Sequence, residues 1–257
     1  MGAGERGGER VAVVVAHPDD ETLWAGGTLL LHPEWRVIIA TLCRASDLDR
    51  APRFQAAARR LGAVGRMADL EDGPEQRPLP EGEVAGTVMG LVGDREYDLV
   101  ITHGPRGEYT RHLRHEETSR AVVSLWERGR LRSQRLWLFA YEDGGGAYLP
   151  RAVAEAPIRT PLPEEVWGEK YRILREVYGF AGDSKEARTT PREEGFWVGS
   201  RGWGLGASEG RGGIVDCRLQ IADYRVAEGR VEGRGWRVES REVIGRKGRG
   251  EGSGVQG

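Results

Sequence analysis

The chain has only two cysteines, Cys43 and Cys217, among 257 residues. Two are too few for a disulfide framework, and they lack the CxxC spacing of a thiolate zinc site. Any metal must therefore be held by histidine and carboxylate. Net charge is almost absent: 38 basic and 40 acidic side chains leave −2, which argues against capture of nucleic acid or an anionic membrane by the whole chain. Long apolar runs are missing too. None approaches the roughly 18–20 residues needed to cross a bilayer, and the opening MGAGERGGER lacks the apolar middle of a secretory signal, so a cytoplasmic location is expected. Glycine is abundant instead, with 39 residues, about twice the usual share of roughly 7%.

The glycine is unevenly spread, and its distribution suggests three regions. Residues 1–10 read as a disordered N-terminus and residues 11–197 as one folded domain. Residues 198–257, in which Gly, Arg and Glu dominate, read as a low-complexity, disordered tail. A shifted reading frame in GC-rich DNA would give the same tail, and with it the ratio of 35 Arg to three Lys. Arg/Gly content occurs in RNA-binding segments, but the interspersed Glu and sparse aromatics here argue against a nucleic-acid partner.

Within the folded region, Val11–Ala16 (VAVVVA) is a β-branched run without alternation, as expected of a strand covered on both faces. Arg36–Leu42, Asp98–Thr102 and Arg135–Tyr141 repeat the signature. Between and after them, Glu21–Leu31, Ala51–Leu61, Glu81–Val92, His115–Arg128 and Glu164–Tyr178 read as helices. This alternation predicts an α/β, Rossmann-like three-layer domain with a mostly parallel sheet. Ligands of such sheets lie beyond the carboxyl ends of the strands, where His17, His103, His112 and His115 fall.

The stretch Ala16-His17-Pro18-Asp19-Asp20-Glu21 places one imidazole and three carboxylates at a strand end, immediately before a helix. Helix N-termini favour acidic residues, but that preference does not account for a histidine beside adjacent aspartates. Like charges so close are costly unless a cation is present. Downstream, Tyr109-Thr110-Arg111-His112-Leu113-Arg114-His115-Glu116-Glu117 sets two histidines three apart, on one face where a helix begins. His17, Asp20 and His115 together provide two imidazoles and a carboxylate, the usual ligand set of a catalytic zinc. Iron is an alternative occupant.

The string AHPDDETLWAGGTL resembles the signature of the PIG-L/LmbE-like superfamily of zinc-dependent N-deacetylases. The resemblance continues through ARRLG (58–62), DLVITHGPRGEY and HLRH, which stands where the family carries His-Pro-Asp-His. It implies His17, Asp20 and His115 as metal ligands and Asp19 as general base. It further implies that His112 stabilises or protonates the tetrahedral intermediate, and that the substrate is a small amino-sugar conjugate bearing an N-acetyl group. Leu113 and Arg114 replace the family's Pro and Asp, so a carboxylate expected to orient His112 is missing; Glu116 or Glu117 is expected to substitute.

Substrate contacts are expected from Arg44, Arg53, Asp72, Tyr109 and Arg114. These lie after strands or beside the histidines and are able to reach hydroxyl, carboxylate or phosphate groups. Trp24 is a candidate sugar-stacking ring, and Gly26-Gly27 either a close approach to substrate or tight helix packing. Competing readings are an amidase for a larger acyl or thiol conjugate and a non-catalytic sugar-binding descendant. A dinucleotide-binding module is disfavoured because HPDDE stands where GxGxxG should follow the first strand.

Overall fold

A computed structural model describes residues 8–109 and 112–199, together with short strand segments at 219–220, 225–227, 230–232 and 237–238. The chain divides into two units, Met1–Gly202 and Trp203–Gly257. The first is built on a seven-stranded sheet in the order β3-β2-β1-β4-β5-β9-β8. Its parallel half comprises β1 (Arg10–Val15), β2 (Arg36–Thr41), β3 (Ala63–Met67), β4 (Glu96–Thr102) and β5 (Arg132–Phe139). β8 (Ile158–Pro161) and β9 (Glu193–Gly199) close one side antiparallel. A two-stranded ribbon of β6 (Tyr141–Glu142) and β7 (Arg151–Ala152) leaves the end of β5.

The expected three-layer α/β architecture with a mostly parallel sheet is what forms. β1 explains why. Its residues Val11–Val15 are completely buried, paired with β2 on one side and β4 on the other, so an unbroken β-branched run fits and a polar face has no place. Val11, Val13 and Val15 enter a core with Trp24, Leu29, Phe54, Ile39, Ile101 and Phe196. Helices α1 (Asp20–Leu31), α2 (Arg50–Arg60) and α5 (Glu164–Arg172) pack with one another's elements on one side, while α3 (Glu81–Val92) and α4 (Leu113–Glu127) pair with each other. The predicted helix Glu164–Tyr178 is α5 continued by a π-helical stretch, Ile173–Val177. A short α6 (Lys185–Thr189) precedes β9.

The strands β3, β8 and β9 do not stand out in the sequence: AVGRM and IRTP are short edge strands, and EEGFWVG is interrupted by glycine. Arg10 already belongs to β1, and β9 runs on to Gly199, so strand structure extends one residue into the segment read as a disordered N-terminus and two into the tail. The second unit contains two antiparallel ladders, β10 (Leu219–Gln220) with β13 (Arg237–Val238) and β11 (Arg225–Ala227) with β12 (Arg230–Glu232). The remaining residues of the tail, and residues 1–7, lie outside the described residues. No helix among the described residues is long and apolar enough to cross a membrane.

Candidate metal centre

In the strand order 3-2-1-4-5, the connections from β1 and β4 leave in opposite directions, which opens a crevice at their carboxyl ends. His17 lies two residues beyond β1, and His103 follows β4 directly. The loop after β4 then leads to α4, whose N-cap is His112 and whose first turn carries His115. Asp20 begins α1 and is buried. Three atoms from these segments converge: His17 Nδ1 is 3.3 Å from Asp20 Oδ2 and 3.2 Å from His115 Nε2, and the latter two are 3.4 Å apart.

The opposite nitrogen of each ligand-type histidine is backed by a carboxylate. His17 Nε2 lies 3.2 Å from Asp72 Oδ1, and His115 Nδ1 is hydrogen-bonded to Glu108 Oε2 at 2.7 Å. With protons on those outer nitrogens, the inner nitrogens present lone pairs, toward each other and toward the Asp20 carboxylate. A tetrahedral ion with bonds of about 2.0–2.2 Å has edges of about 3.3–3.6 Å between its ligands, close to the sides of the triangle. The donor set therefore fits a divalent ion such as zinc. Burial opposes protonation of His17, but Asp20 and Asp72 override it and raise its pKa to about 9. That proton occupies the place a cation would take. Burial also pushes Asp20 up, yet His115 and His103 hold it well below the usual carboxylate range.

Asp19 has φ 115° and ψ −30°, a backbone conformation an L-residue adopts only under constraint. The constraint is visible: the Asp19 N–H donates to Glu21 Oε2 at 3.0 Å, and Glu21 is fixed by the hydroxyls of Thr22 and Tyr178, both at 2.6 Å from Oε1. Arg50 Nη1 approaches Asp19 Oδ2 at 3.4 Å. Burial, then Asp20 and Glu21, push the Asp19 carboxyl well above its ordinary pKa.

The structure brings His17, Asp19, Asp20, His112 and His115 into one cluster, with the His112 ring 4.7 Å from His17 and 4.5 Å from His115 by ring centroids. The expectation that His112 is oriented by Glu116 or Glu117 is not met by Glu117, which receives Arg114 and the Leu79 N–H. Nδ1 of His112 is buried without a hydrogen-bond partner. Burial, helped by His115 and His17, lowers the His112 pKa to about 4, so the ring is neutral near pH 7 rather than the protonated group expected.

Among the expected substrate contacts, Arg114 is turned away from this role. It is buried, and its guanidinium donates to the Glu71 and Arg77 carbonyls and to the Glu71 and Glu117 carboxylates. It ties the loop after β3 to α4. Arg53 is likewise engaged, with Asp49 and with the carbonyls of Val177 and Tyr178. Asp72 faces His17 and receives Arg44 Nη2 at 2.9 Å. Tyr109 stands edge-on to His115, 6.0 Å between ring centroids, with Lys185 Nζ 3.7 Å from the centre of its ring.

Trp24 is fully buried between Tyr109 and Tyr141 and has no face for a sugar. Cys43 is buried, as expected of a small apolar side chain; burial, reinforced by Asp72, pushes its thiol up to about 12. Glu108 and His103 are not among the expected site residues. His103 had a signal, its place at a strand end; Glu108 had none in its local sequence.

The family model PIG-L, described as GlcNAc-PI de-N-acetylase, matches residues 12–126. An uncharacterised protein of Acanthamoeba polyphaga mimivirus is 23% identical over 127 residues, which are 44% of this chain and 56% of that protein. The chain thus matches little more than half the length of this curated relative. Among solved structures, N,N'-diacetylchitobiose deacetylase from Pyrococcus horikoshii has TM-score 0.58 at 15% identity, covering 74% of this chain and 83% of that one. A deacetylase of the teicoplanin biosynthesis pathway has TM-score 0.56 at 18% identity, covering 74% and 97%. The 4-carboxy-2-hydroxymuconate hydratase of Pseudomonas putida has TM-score 0.52 at 16% identity, covering 74% and 95%. One fold thus carries more than one chemistry, and these structures speak for the fold. The HPDDE strand end and the second histidine cluster both lie inside residues 12–126, the part of the chain that is similar to the PIG-L family.

Proposed function

We propose that the protein is a zinc-dependent hydrolase that removes the N-acetyl group from an N-acetylglucosaminyl conjugate or a related small amino sugar. The observation that carries this reading is the triangle of His17 Nδ1, Asp20 Oδ2 and His115 Nε2, with sides of 3.2–3.4 Å. These three residues would hold the metal. When bound, zinc supplies polarisation of an amide carbonyl and lowers the pKa of a water from about 15.7 toward about 7; Fe²⁺ suits the same ligands.

The chain's own residues then have defined tasks. Asp19 takes the proton of the attacking water, a role favoured by its raised pKa. On this reading the adjacent aspartates divide the work, Asp19 as base and Asp20 as ligand. Neutral His112 would offer one N–H to the negative charge that develops on the amide carbonyl oxygen. As the C–N bond breaks, Asp19 returns its proton to the amine, giving acetate and the free amino sugar. Tyr109, whose ring lies edge-on to His115, would serve as a second donor, and Arg44, paired with Asp72, as a cation for polar substituents of the sugar.

Arg114 in place of the family aspartate would favour a non-catalytic descendant if it displaced the histidines' partners. In the structure Arg114 is occupied away from the histidines, and the hydrolytic reading is preferred. The test is bound metal by mass spectrometry on protein purified without chelator or His-tag, followed by acetate release from N-acetylglucosaminides. About one zinc or iron per chain and acetate release are expected. Asp19→Ala should keep its metal and lose about 10²–10⁴-fold in rate. Near-wild-type turnover by that variant would remove Asp19 from its role, and a folded wild type that binds no metal even after reconstitution would overturn the reading.

A further inference from the structure

We propose that Glu108 and His103 are positioning residues that fix the tautomer and direction of His115 and lock the two ligand-bearing strand ends together. This rests on the metal-centre reading above. Glu108 is buried in the loop between β4 and α4, and three N–H groups point at its carboxylate. Gly104 N–H donates to Oε1 at 2.9 Å; His103 Nδ1 and His115 Nδ1 share Oε2 at 3.0 and 2.7 Å. An acceptor-only group facing His115 Nδ1 leaves that nitrogen one role, donation, and so bares the lone pair on Nε2 toward His17 and Asp20.

His103 looks at first like a fourth ligand. Its Nε2 lies 3.5 Å from Asp20 Oδ2, and Asp20, His103 and His115 have ligand-like spacing. Yet the backbone N–H of Ala16 donates to that same Nε2 at 2.9 Å. A protonated ring would set N–H against N–H at Ala16, so the contact requires a neutral ring with its hydrogen on Nδ1. Both nitrogens are then taken and His103 holds no metal. Instead it connects Ala16, next to His17, with Glu108, behind His115, and its ring stacks on His115 at 4.0 Å with a 21° tilt. The close passage of the loop needs Gly104, where a Cβ would stand 2.6 Å from the Phe139 carbonyl oxygen.

The test is zinc affinity by chelator competition, with the d–d spectrum of the cobalt-substituted protein as a readout of ligand geometry. Glu108→Gln must turn its NH₂ toward at least one of three donors. It is expected to weaken zinc binding roughly 10- to 100-fold and to alter the cobalt spectrum while the circular dichroism stays native. His103→Gln keeps an acceptor for Ala16 but loses the donor to Glu108, so a smaller loss in the same direction is expected. It carries the test should Glu108→Gln not fold. Zinc affinity within twofold of wild type and an unchanged cobalt spectrum in a folded variant would overturn the proposal while leaving the metal centre standing. A wild-type chain that binds neither ion would overturn the metal-centre reading and this proposal with it.

Discussion

Helix α1 runs past two clusters of buried charge, one at its first turn and one at its middle, and their atoms are matched in opposite ways. At the middle, Glu194 of β9 receives four donors on two oxygens. Gly27 N–H and Lys170 Nζ reach Oε1 at 2.8 and 2.6 Å, and Thr28 N–H and its hydroxyl reach Oε2 at 2.7 and 2.6 Å. Glu194 and Lys170 are both completely buried, and each carboxylate oxygen of Glu194 receives two donors. At the first turn, Asp20 Oδ2 accepts the His17 backbone N–H at 2.9 Å, and beyond that bond His17 Nδ1 and His115 Nε2 face it and each other at 3.2–3.4 Å, with no side-chain donor between the three atoms unless a ring nitrogen takes up a proton. A cluster closed on itself is structural; one made of acceptors facing acceptors calls for a proton or a cation.

That contrast can be broken at Asp20, where loss of the bound metal is expected. Asp20→Asn offers an amide N–H to the facing lone pairs and removes a negative ligand, so metal binding should be lost. Zinc at about 100 times its Kd should stabilise wild type by about 2.7 kcal/mol and leave the variant's melting temperature unmoved. Without metal, the variant should be at least as stable as wild type. A full zinc-dependent shift in Asp20→Asn would show that the two clusters are of one kind.

The converse test lies at Lys170. Lys170→Met strands the buried Glu194 charge and should destabilise the fold by about 3–5 kcal/mol in urea denaturation, with zinc affinity unchanged. Adding Glu194→Gln removes the second charge and keeps an acceptor for α1, so the double variant should lose less than the single one. A double variant that lost the sum of the two single losses would mean that the pair is not coupled.

The same two clusters mark how far the sequence could be read. The ligand end of α1 is legible because β1, the turn and the first helical residues carry it all within His17–Asp20, and local crowding of charge has few structural explanations. The α3 boundaries, Glu81–Val92, were read as they stand, since proline precedes and glycine follows. The central cluster was not legible: Lys170 and Glu194 meet across 24 residues, and each alone looks like solvated charge on a helix or strand. Arg114 failed for a related reason. It sits between two histidines of the site, yet one turn of helix directs it to Glu71 and Arg77, 43 and 37 residues away. Glu108 is the same lesson in reverse, a glutamate in a glycine-flanked loop whose role appears only when β4, α4 and the end of β1 are brought together.

The smallest effects separate the two glycines between the clusters. A Cβ at Gly27 would stand 2.4 Å from Leu162 Cδ1 and 3.0 Å from Glu194 Oε1. Gly27→Ala therefore has to displace a leucine and loosen the Glu194 bonds, a cost of about 1–3 kcal/mol. At Gly26 the nearest atoms are Thr22 Cγ2 at 3.4 Å and Lys170 Cγ at 3.6 Å, ordinary contacts. Gly26→Ala gains helix propensity and some apolar contact, and should raise stability by about 0.5–1 kcal/mol. Opposite signs at neighbouring positions, read from two urea curves, would show that the GG pair serves packing against Leu162 and Glu194. Two losses of equal size would place Gly26 under a constraint that its own surroundings do not impose.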